Sequence, residues 1–173
     1  MKEAAIPGYR LSKARFSTRV LTTLGMLGLL FGLLGAVLMT VSRTGLTTVE
    51  VQQYYRGNSE GTTGQLVDEE LVHTAPRPFD ELAEVTHLHL MGGSLLLFLL
   101  CHLLSVCDIR DSIRTILYVI SFGSFLVTFT LPWAIVYGSA SFAHLFLPAI
   151  GTLTASLFLL CVIPLREMWL RRS

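Results

Sequence analysis

The chain has 173 residues, of which 52% are hydrophobic and 14% are charged, and its formal net charge at pH 7 is +1. Soluble domains usually contain about 25% charged residues, so this composition excludes an ordinary soluble domain and indicates a membrane protein. A chain of this size leaves no room for a separate extramembrane catalytic domain beside its apolar segments. We therefore interpret residues 1–173 as a single membrane domain.

Four apolar stretches without Asp, Glu, Lys or Arg follow one another along the chain. A membrane-spanning helix needs about 20 apolar residues, because each residue adds about 1.5 Å and the hydrocarbon layer is about 30 Å thick. The charge-free run from Thr115 to Leu165 is about twice that length, so it must turn once, and Tyr137-Gly138-Ser139 is the expected turn. The sequence therefore predicts an all-α membrane four-helix bundle with spans at about 20–42, 85–107, 115–137 and 140–165.

The first span follows a basic segment, as a secretory signal would. We reject a signal peptide because the apolar run exceeds a signal core of about 7 to 15 residues and no clean small-x-small cleavage site follows it. The span carries glycines on one face, at Gly25, Gly28, Gly32 and Gly35. This face is expected to pack closely against another helix, and the alternative is that it makes room for a flat macrocycle.

The distribution of basic residues predicts the orientation of the bundle. Ten of the 13 Lys and Arg residues lie before the first span, between the second and third, or after the fourth; these are Lys2, Arg10, Lys13, Arg15, Arg19, Arg110, Arg114, Arg166, Arg171 and Arg172. Only Arg43, Arg56 and Arg77 lie in the other segment. The positive-inside rule then predicts both termini in the cytoplasm of a bacterium, with residues 43–84 forming a long periplasmic loop.

The predicted periplasmic loop is acidic and contains two short helical segments. Its acidic residues are Glu50, Glu60, Asp68, Glu69, Glu70, Asp80, Glu81 and Glu84. Residues 47–56 are expected to form a helical turn or two, and the Arg77-Pro78-Phe79-Asp80-Glu81 segment has the proline and early acids of a helix start. An anionic surface would repel nucleic acid and could dock a basic soluble electron carrier, although an ordinary solvated loop has the same composition.

Three cysteines are predicted in the cytoplasmic halves of the second and fourth spans, at Cys101, Cys107 and Cys161. Disulfides are not expected on a reducing side of the membrane. A metal site that also includes His102 can be drawn, but the chain has no C-x-x-C spacing. Packing of the cysteines as small apolar residues is the favoured interpretation.

Four of the five histidines lie within or beside the predicted spans, where ionisable residues indicate function by default. His89 and His144 each lie four residues inside the outer ends of their spans, so we expect them at one depth. Two neutral imidazoles facing each other at one depth are the axial ligands of a six-coordinate haem b. The alternative is structural, with each ring bonded to a hydroxyl. His73 lies in the polar loop and is interpreted as solvated.

His87 competes with His89 for the outer ligand position. Residues two apart on a helix point about 200° from each other, so only one of the two imidazoles can face a cofactor. His89 has the better depth match, and the small residues Gly92 and Gly93 follow it, which would let a porphyrin approach the backbone. His87 lies fifteen residues before His102, a spacing that could place a second haem across the membrane.

Thr86-His87-Leu88-His89, His102 and His144 make the chain similar to the four-helix membrane cytochromes b. In that family, histidines about two haem layers apart on one helix match histidines on a partner helix. The resemblance covers the second to fourth spans and implies haem binding and electron transfer. The fourth span has no second histidine, so a haem at His102 would take another ligand, such as Met26, or remain five-coordinate. One outer haem is therefore expected rather than two.

We predict a small b-type cytochrome or a haem-bearing subunit of a respiratory complex, rather than a stand-alone enzyme. Residues 85–93 also resemble those of uncharacterised four-span bacterial membrane proteins with a T-H-x-H motif, which suggests no further function. Open alternatives are a cofactor-free accessory subunit of a membrane complex, a Cu or Zn site at the outer histidines, and a quinone site formed with Trp133 and Tyr137. No phosphate loop, Ser-His-Asp set or H-E-x-x-H motif indicates hydrolase or nucleotide chemistry.

Overall fold

The structure is a computed structural model that describes residues 11–57 and 75–170. Its α-helices are α1 (Phe16–Thr44), α2 (Thr48–Arg56), α3 (Phe79–Ser105), α4 (Asp111–Trp133) and α5 (Ala143–Leu170). Within the described ranges, four helical segments are long and apolar enough to cross a membrane: α1, α3, α4 with the turn that follows it, and α5 with the turn before it. The chain is therefore an all-α, multi-pass membrane protein, as the sequence predicted.

The helices extend beyond the predicted spans at their polar ends. α1 begins at Phe16 and stops at Gly45, whose φ of +71° favours glycine. α3 begins directly after Pro78 and carries Asp80 and Glu81 in its first turn, as the predicted helix start requires. Charge-free sequence locates the hydrocarbon layer, whereas a helix continues until a residue with a non-helical backbone ends it.

The predicted hairpin between the third and fourth spans is present and begins with a widened turn. α4 includes Pro132, which has no N–H to donate to the preceding helical turn. A π-helical turn over Ala134–Gly138 follows, and the Ser139 N–H donates to the Ala134 carbonyl at 3.0 Å. Ser139 is extended, and a short 3₁₀ turn over Ala140–Phe142 leads into α5. This turn places His144 at the second residue of α5.

The helices run up and down, so the bundle has two distinct ends. We call one the basic end, because it holds Lys13, Arg15, Arg19, Arg110, Arg114 and Arg166. There, the Leu11 N–H donates to the Val106 carbonyl at 3.2 Å, which ties the start of the chain to the end of α3. We call the other the histidine end, where α2 packs against α5 and His87, His89 and His144 lie.

Two apolar clusters form the core. The larger occupies the basic half and the middle of the bundle, with Leu97, Leu104, Leu160 and Met168 almost fully buried. The three cysteines are buried in this region and unpaired, in agreement with packing as small apolar residues. The smaller cluster lies at the histidine end, where Val51 of α2 packs with Leu131, Ile135, Ala143 and Phe146.

The turn between α3 and α4 is held by charged groups at the basic end. Glu167 of α5 is buried, and its Oε2 accepts the Asp108 backbone N–H at 2.7 Å. The Arg114 guanidinium donates to the Cys107 carbonyl at 3.0 Å and to the Asp111 carboxylate at 2.9 Å. These bonds satisfy backbone groups that the end of α3 leaves unpaired. Sequence reasoning missed Glu167, because it sits among the charged residues after the fourth apolar stretch.

α1 packs loosely against the other helices. Only 6% of its most apolar stretch is buried, compared with 28% in α5. A Cβ added at Gly25, Gly28, Gly32 or Gly35 would meet no described atom within 4 Å, apart from the local backbone of α1 itself. No described residue packs closely against this glycine face, so the expected packing against another helix stays a prediction. Small residues spaced three and four apart define a face of a helix but do not supply a partner for it.

Candidate functional site at the histidine end

The seam between α3 and α4 positions His89. The Trp133 indole N–H donates to the Thr86 hydroxyl at 2.8 Å, which fixes the outer end of the seam. One turn further in, the His89 ring stacks on Phe129, with centroids 4.6 Å apart and an interplanar angle of 24°. Gly93 follows, facing the ring of Phe125. The contacts form one row because residues three or four apart share a helix face, with steps of three and four on α3 and two steps of four on the antiparallel α4.

Gly93 has a structural role in this seam. A Cβ added at Gly93 would overlap the Phe125 ring and lie 2.6 Å from its Cζ. The missing side chain is thus used for close packing of α3 against α4, where Phe125 is buried. Gly92, by contrast, has no described atom within 4 Å of an added Cβ, local α3 backbone aside. The approach of a porphyrin to Gly93 stays a prediction, and it would require Phe125 to move.

The imidazole of His89 is oriented by its own helix. Its Nδ1 lies 2.7 Å from the Val85 carbonyl oxygen, which can only accept a hydrogen bond. In the neutral ring the proton therefore belongs on Nδ1, and Nε2 then carries the lone pair that a metal ion requires. The His89 side chain is exposed on the surface of the helix bundle. His89 is thus an oriented imidazole whose Nε2 has no hydrogen-bond partner among the described residues.

His144 has the same arrangement on α5. Its Nδ1 lies 2.9 Å from the Ser141 carbonyl oxygen in the preceding turn, so Nε2 again keeps the lone pair. The side chain is exposed, while its neighbour Ala143 is fully buried in the cluster at this end. The two histidines therefore share one tautomer and one type of anchor, a backbone carbonyl in the preceding turn of the chain.

The structure brings His89 to Phe129, and no described hydrogen bond or ring contact joins His89 to His144. In residues 11–57 and 75–170, no group of three or more His, Cys, Asp and Glu side chains is placed to hold a metal ion. This finding gives no support to a Cu or Zn site with three such ligands. It does not test a pair of axial haem ligands, so the predicted pairing stays a prediction.

The remaining histidines are separated from this seam. His87 is exposed on the other side of α3, and His102 is exposed near the basic end, with its ring centroid 6.2 Å from that of Phe98. His102 and Met26 line the same groove between α1 and α3, which is consistent with the similar depth expected from the sequence. His73 lies outside the described residues, as do Glu60, Asp68, Glu69 and Glu70 of the predicted acidic loop.

An aromatic cluster surrounds the outer end of the α3–α4 seam. Trp133 stacks on Tyr137 with centroids 5.8 Å apart, and Phe79 meets Trp133 edge-on at 5.2 Å. Aromatic rings of this kind are enriched where a membrane meets water. The predicted quinone site at Trp133 and Tyr137 is thus an aromatic surface. The indole N–H of Trp133 is not free to bind a quinone there, because it already donates to Thr86.

α2 forms a cap over the histidine end, and its start is a capping box. The Thr47 hydroxyl accepts the Glu50 N–H at 3.2 Å, and Glu50 Oε2 accepts the N–H groups of Leu46 and Thr47, each at 2.8 Å. These bonds lower the pKa of Glu50, and the bond with the Thr47 side chain has the largest effect. Sequence reasoning predicted a short helix here without this capping box, and the Thr47-x-x-Glu50 pattern is the signal that could have located its start.

Arg77 connects the cap to α3. Its backbone N–H donates to the Tyr55 carbonyl at 3.0 Å, and its guanidinium lies 3.9 Å from the centre of the Tyr54 ring and pairs with Glu81. Tyr55 packs edge-on against Phe146 of α5, and burial raises the pKa of its hydroxyl. Sequence reasoning missed this contact, because it joins residues on both sides of the segment 58–74.

Comparison with known proteins identifies a family but no annotated relative. Residues 45–173 match a family model described as a transmembrane helical domain. No curated protein and no solved structure gives a significant match. The matched segment begins at the glycine that ends α1 and continues through α2 to α5, so it covers well over half of the chain. The chain therefore belongs to this family of transmembrane helical domains.

Proposed function

We propose that the protein is a haem-bearing electron-transfer subunit of a respiratory complex in the bacterial inner membrane. Haem b is bound at the histidine end by His144 and by His89, with His87 as the competing second ligand. The basic end faces the cytoplasm, which the ten-to-three distribution of basic residues supports. The histidine end then faces the periplasm, where electrons are exchanged with a soluble carrier or with a neighbouring subunit.

The observation that carries the proposal is that the imidazoles of His89 and His144 are held in the same way. In both His89 and His144, Nδ1 is held by a backbone carbonyl and Nε2 is left free at the helix surface. Histidine ligands of metals usually have this second interaction, because it fixes the tautomer and the ring orientation.

Other residues at this end support the same role. Haem b, when bound, supplies reversible one-electron chemistry. Phe129 holds the His89 ring by stacking, and Trp133 fixes the start of α3 through Thr86. At this end the acidic residues Glu50, Asp80, Glu81 and Glu84 outnumber the three arginines by one, and the predicted loop adds Glu60, Asp68, Glu69 and Glu70 in sequence, a balance that suits a basic periplasmic carrier.

The first experiment is an optical spectrum of the purified protein, produced with haem supplied during expression. We expect a reducible Soret band with the α-band of two-imidazole coordination. His144→Ala should abolish the band, because no other described histidine lies on α5. A colourless wild-type protein would contradict the proposal.

Two matched variants separate ligation by His89 from its packing against Phe129. His89→Phe keeps an aromatic ring in the seam but removes the nitrogen, and should abolish the two-imidazole spectrum. Phe129→Leu removes the stacking partner but keeps the imidazole, and should leave the spectrum in place. If His89→Phe keeps the spectrum and His87→Ala loses it, His87 is the ligand.

His102→Ala is the control at the opposite end of α3. It should leave the outer haem intact, because His102 lies thirteen residues from His89 on the same helix, about 20 Å along the axis. Loss of all haem in His102→Ala, with His144→Ala still coloured, would move the cofactor to the basic end and contradict the assignment made here.

A cofactor-free accessory subunit is the second candidate, and the loose packing of α1 favours it. A helix whose glycine face meets no residue of the described ranges is suited to contact with another membrane subunit. This candidate predicts a colourless protein in which His144→Ala and His89→Phe change neither the spectrum nor the assembly of a complex. The optical experiment therefore separates the two candidates.

A further inference from the structure

A groove between α1 and α3 opens at the basic end, far from the outer histidines. Its volume is about 470 Å³, within the range of sites that take small molecules. Its walls are mainly leucine side chains, with Met26 and Gly25 on the α1 side. Thr18, Thr22 and His102 add polar groups near the mouth. We propose that this groove binds one anionic phospholipid, with an acyl chain along the walls and the headgroup at the basic mouth.

The length of the groove matches one leaflet of a bilayer. Along α1 it runs from Thr18 to Leu29, and along α3 from Val106 back to Leu96. At 1.5 Å per residue each wall is about 15 Å long, which is half of a hydrocarbon layer of about 30 Å. An acyl chain that enters at the basic end therefore reaches the membrane centre where the groove ends.

The charge at the mouth selects an anionic headgroup. Lys13 and Arg15 are exposed, and they lie in the chain between Leu11 and Thr18, which both line the groove. Neither forms an ion pair with a residue in the described ranges. Three carboxylates lie on the facing segments. Asp111 pairs with Arg114, Glu167 binds the Asp108 backbone, and the exposed Asp108 has a further interaction of its own. Exposed basic groups at the lipid surface attract anionic headgroups.

The polar groups inside the mouth also lack partners. The hydroxyls of Thr23, Thr40, Thr44 and Thr152 donate to the carbonyl four residues earlier, which is usual for threonine in a membrane helix. Thr18, Thr22 and the ring of His102 make no hydrogen bond with any described residue. The ester and phosphate oxygens of a phospholipid accept bonds from such groups, which are costly to leave unpaired in hydrocarbon.

The test uses the full chain in detergent, with native mass spectrometry and added phosphatidylglycerol or phosphatidylcholine of identical acyl chains. The wild type should retain one phosphatidylglycerol and prefer it by about twenty-fivefold at low ionic strength, because two basic groups each contribute about fivefold. The Lys13→Gln/Arg15→Gln double variant should lose most of this preference. Equal retention of both lipids by the wild type would overturn the proposal.

Two glycine variants on α1 separate groove binding from general lipid contact. Gly25→Leu fills the groove and should lower retention of both lipids at least tenfold, whereas Gly35→Leu, outside the groove, should leave retention unchanged. Both positions are open, so both variants should fold, which their helix content checks. Unchanged retention in Gly25→Leu, or a haem or quinone retained in the groove in place of lipid, would overturn the proposal. The outer haem spectrum should be unaffected by either variant, so this test is independent of the proposed function.

Discussion

α1 and the α3–α5 unit have similar helix lengths and apolar sequences but differ in how they are packed. α3, α4 and α5 contact one another through buried seams, and the family match covers this unit with α2 but not α1. α1 touches it mainly along α5, and is separated from α3 by the groove. Hydropathy therefore predicts that a helix enters the membrane, but not whether it has a partner there. Packing partners are set by side-chain shape, because lipid is as apolar as the helices.

Glycines on α3 and α1 offer the sharpest test of this difference. Gly93→Leu should lower the free energy of unfolding by about 1–3 kcal/mol or prevent folding, because its side chain would overlap Phe125. The measurement is an SDS titration in mixed micelles followed by circular dichroism. The Gly93→Ala/Phe125→Leu double variant should recover part of the stability lost in Gly93→Ala. A stable Gly93→Leu protein would show that the α3–α4 seam is not close-packed.

The two tryptophans provide a matched pair of hydrogen bonds, one within the unit and one to α1. Trp133 donates to Thr86 at 2.8 Å in a half-buried seam, and Trp169 donates to Thr23 at 3.0 Å at an exposed position. Trp133→Phe should lower the unfolding free energy by about 1 kcal/mol, and Trp169→Phe by about 0.5 kcal/mol or less. The same titration measures both. A larger loss in Trp169→Phe would contradict the view that α1 is the weakly held helix.

The open face of α1 should tolerate new side chains. Gly28→Ala should leave stability unchanged or raise it by up to about 1 kcal/mol, because alanine is the better helix former and its Cβ would meet no neighbouring residue that the structure describes. The titration of the purified chain measures this. A loss above about 1 kcal/mol would reveal a contact on this face, and analytical ultracentrifugation would show whether a second copy supplies it.

The smallest of these effects is expected at the start of α2, which should become less stable in acid. The pKa of Glu50 is lowered in the folded chain by its bonds to Thr47 and Leu46, so its contribution is present above the ordinary carboxyl pKa. It is lost as the pH falls through the lowered value. Hydrogen exchange of the α2 amides, corrected for the intrinsic rate, should therefore increase in acid for the wild type and show little dependence on pH in Glu50→Gln. Equal behaviour of both chains would contradict this role.

The sequence predicted the helices well and the lateral contacts poorly. The four apolar segments and the turn at residues 137–139 were predictable, because hydrocarbon thickness sets a length that each segment must satisfy. The contact of His89 with Phe129 was not predictable, because residue depth does not determine which neighbouring helix a side chain faces. The contact of Gly93 with Phe125 was not predictable either, because a glycine in a membrane span leaves room for a cofactor or for a neighbouring side chain equally well.

The central claim is that the free Nε2 atoms of two histidines bind one haem at the histidine end. Electron paramagnetic resonance of the oxidised wild-type protein tests it most directly. The claim predicts a low-spin ferric signal of two-imidazole coordination, at one haem per chain, which His144→Ala removes. A protein that binds no haem when haem is supplied, or a signal that survives in His144→Ala, would contradict it.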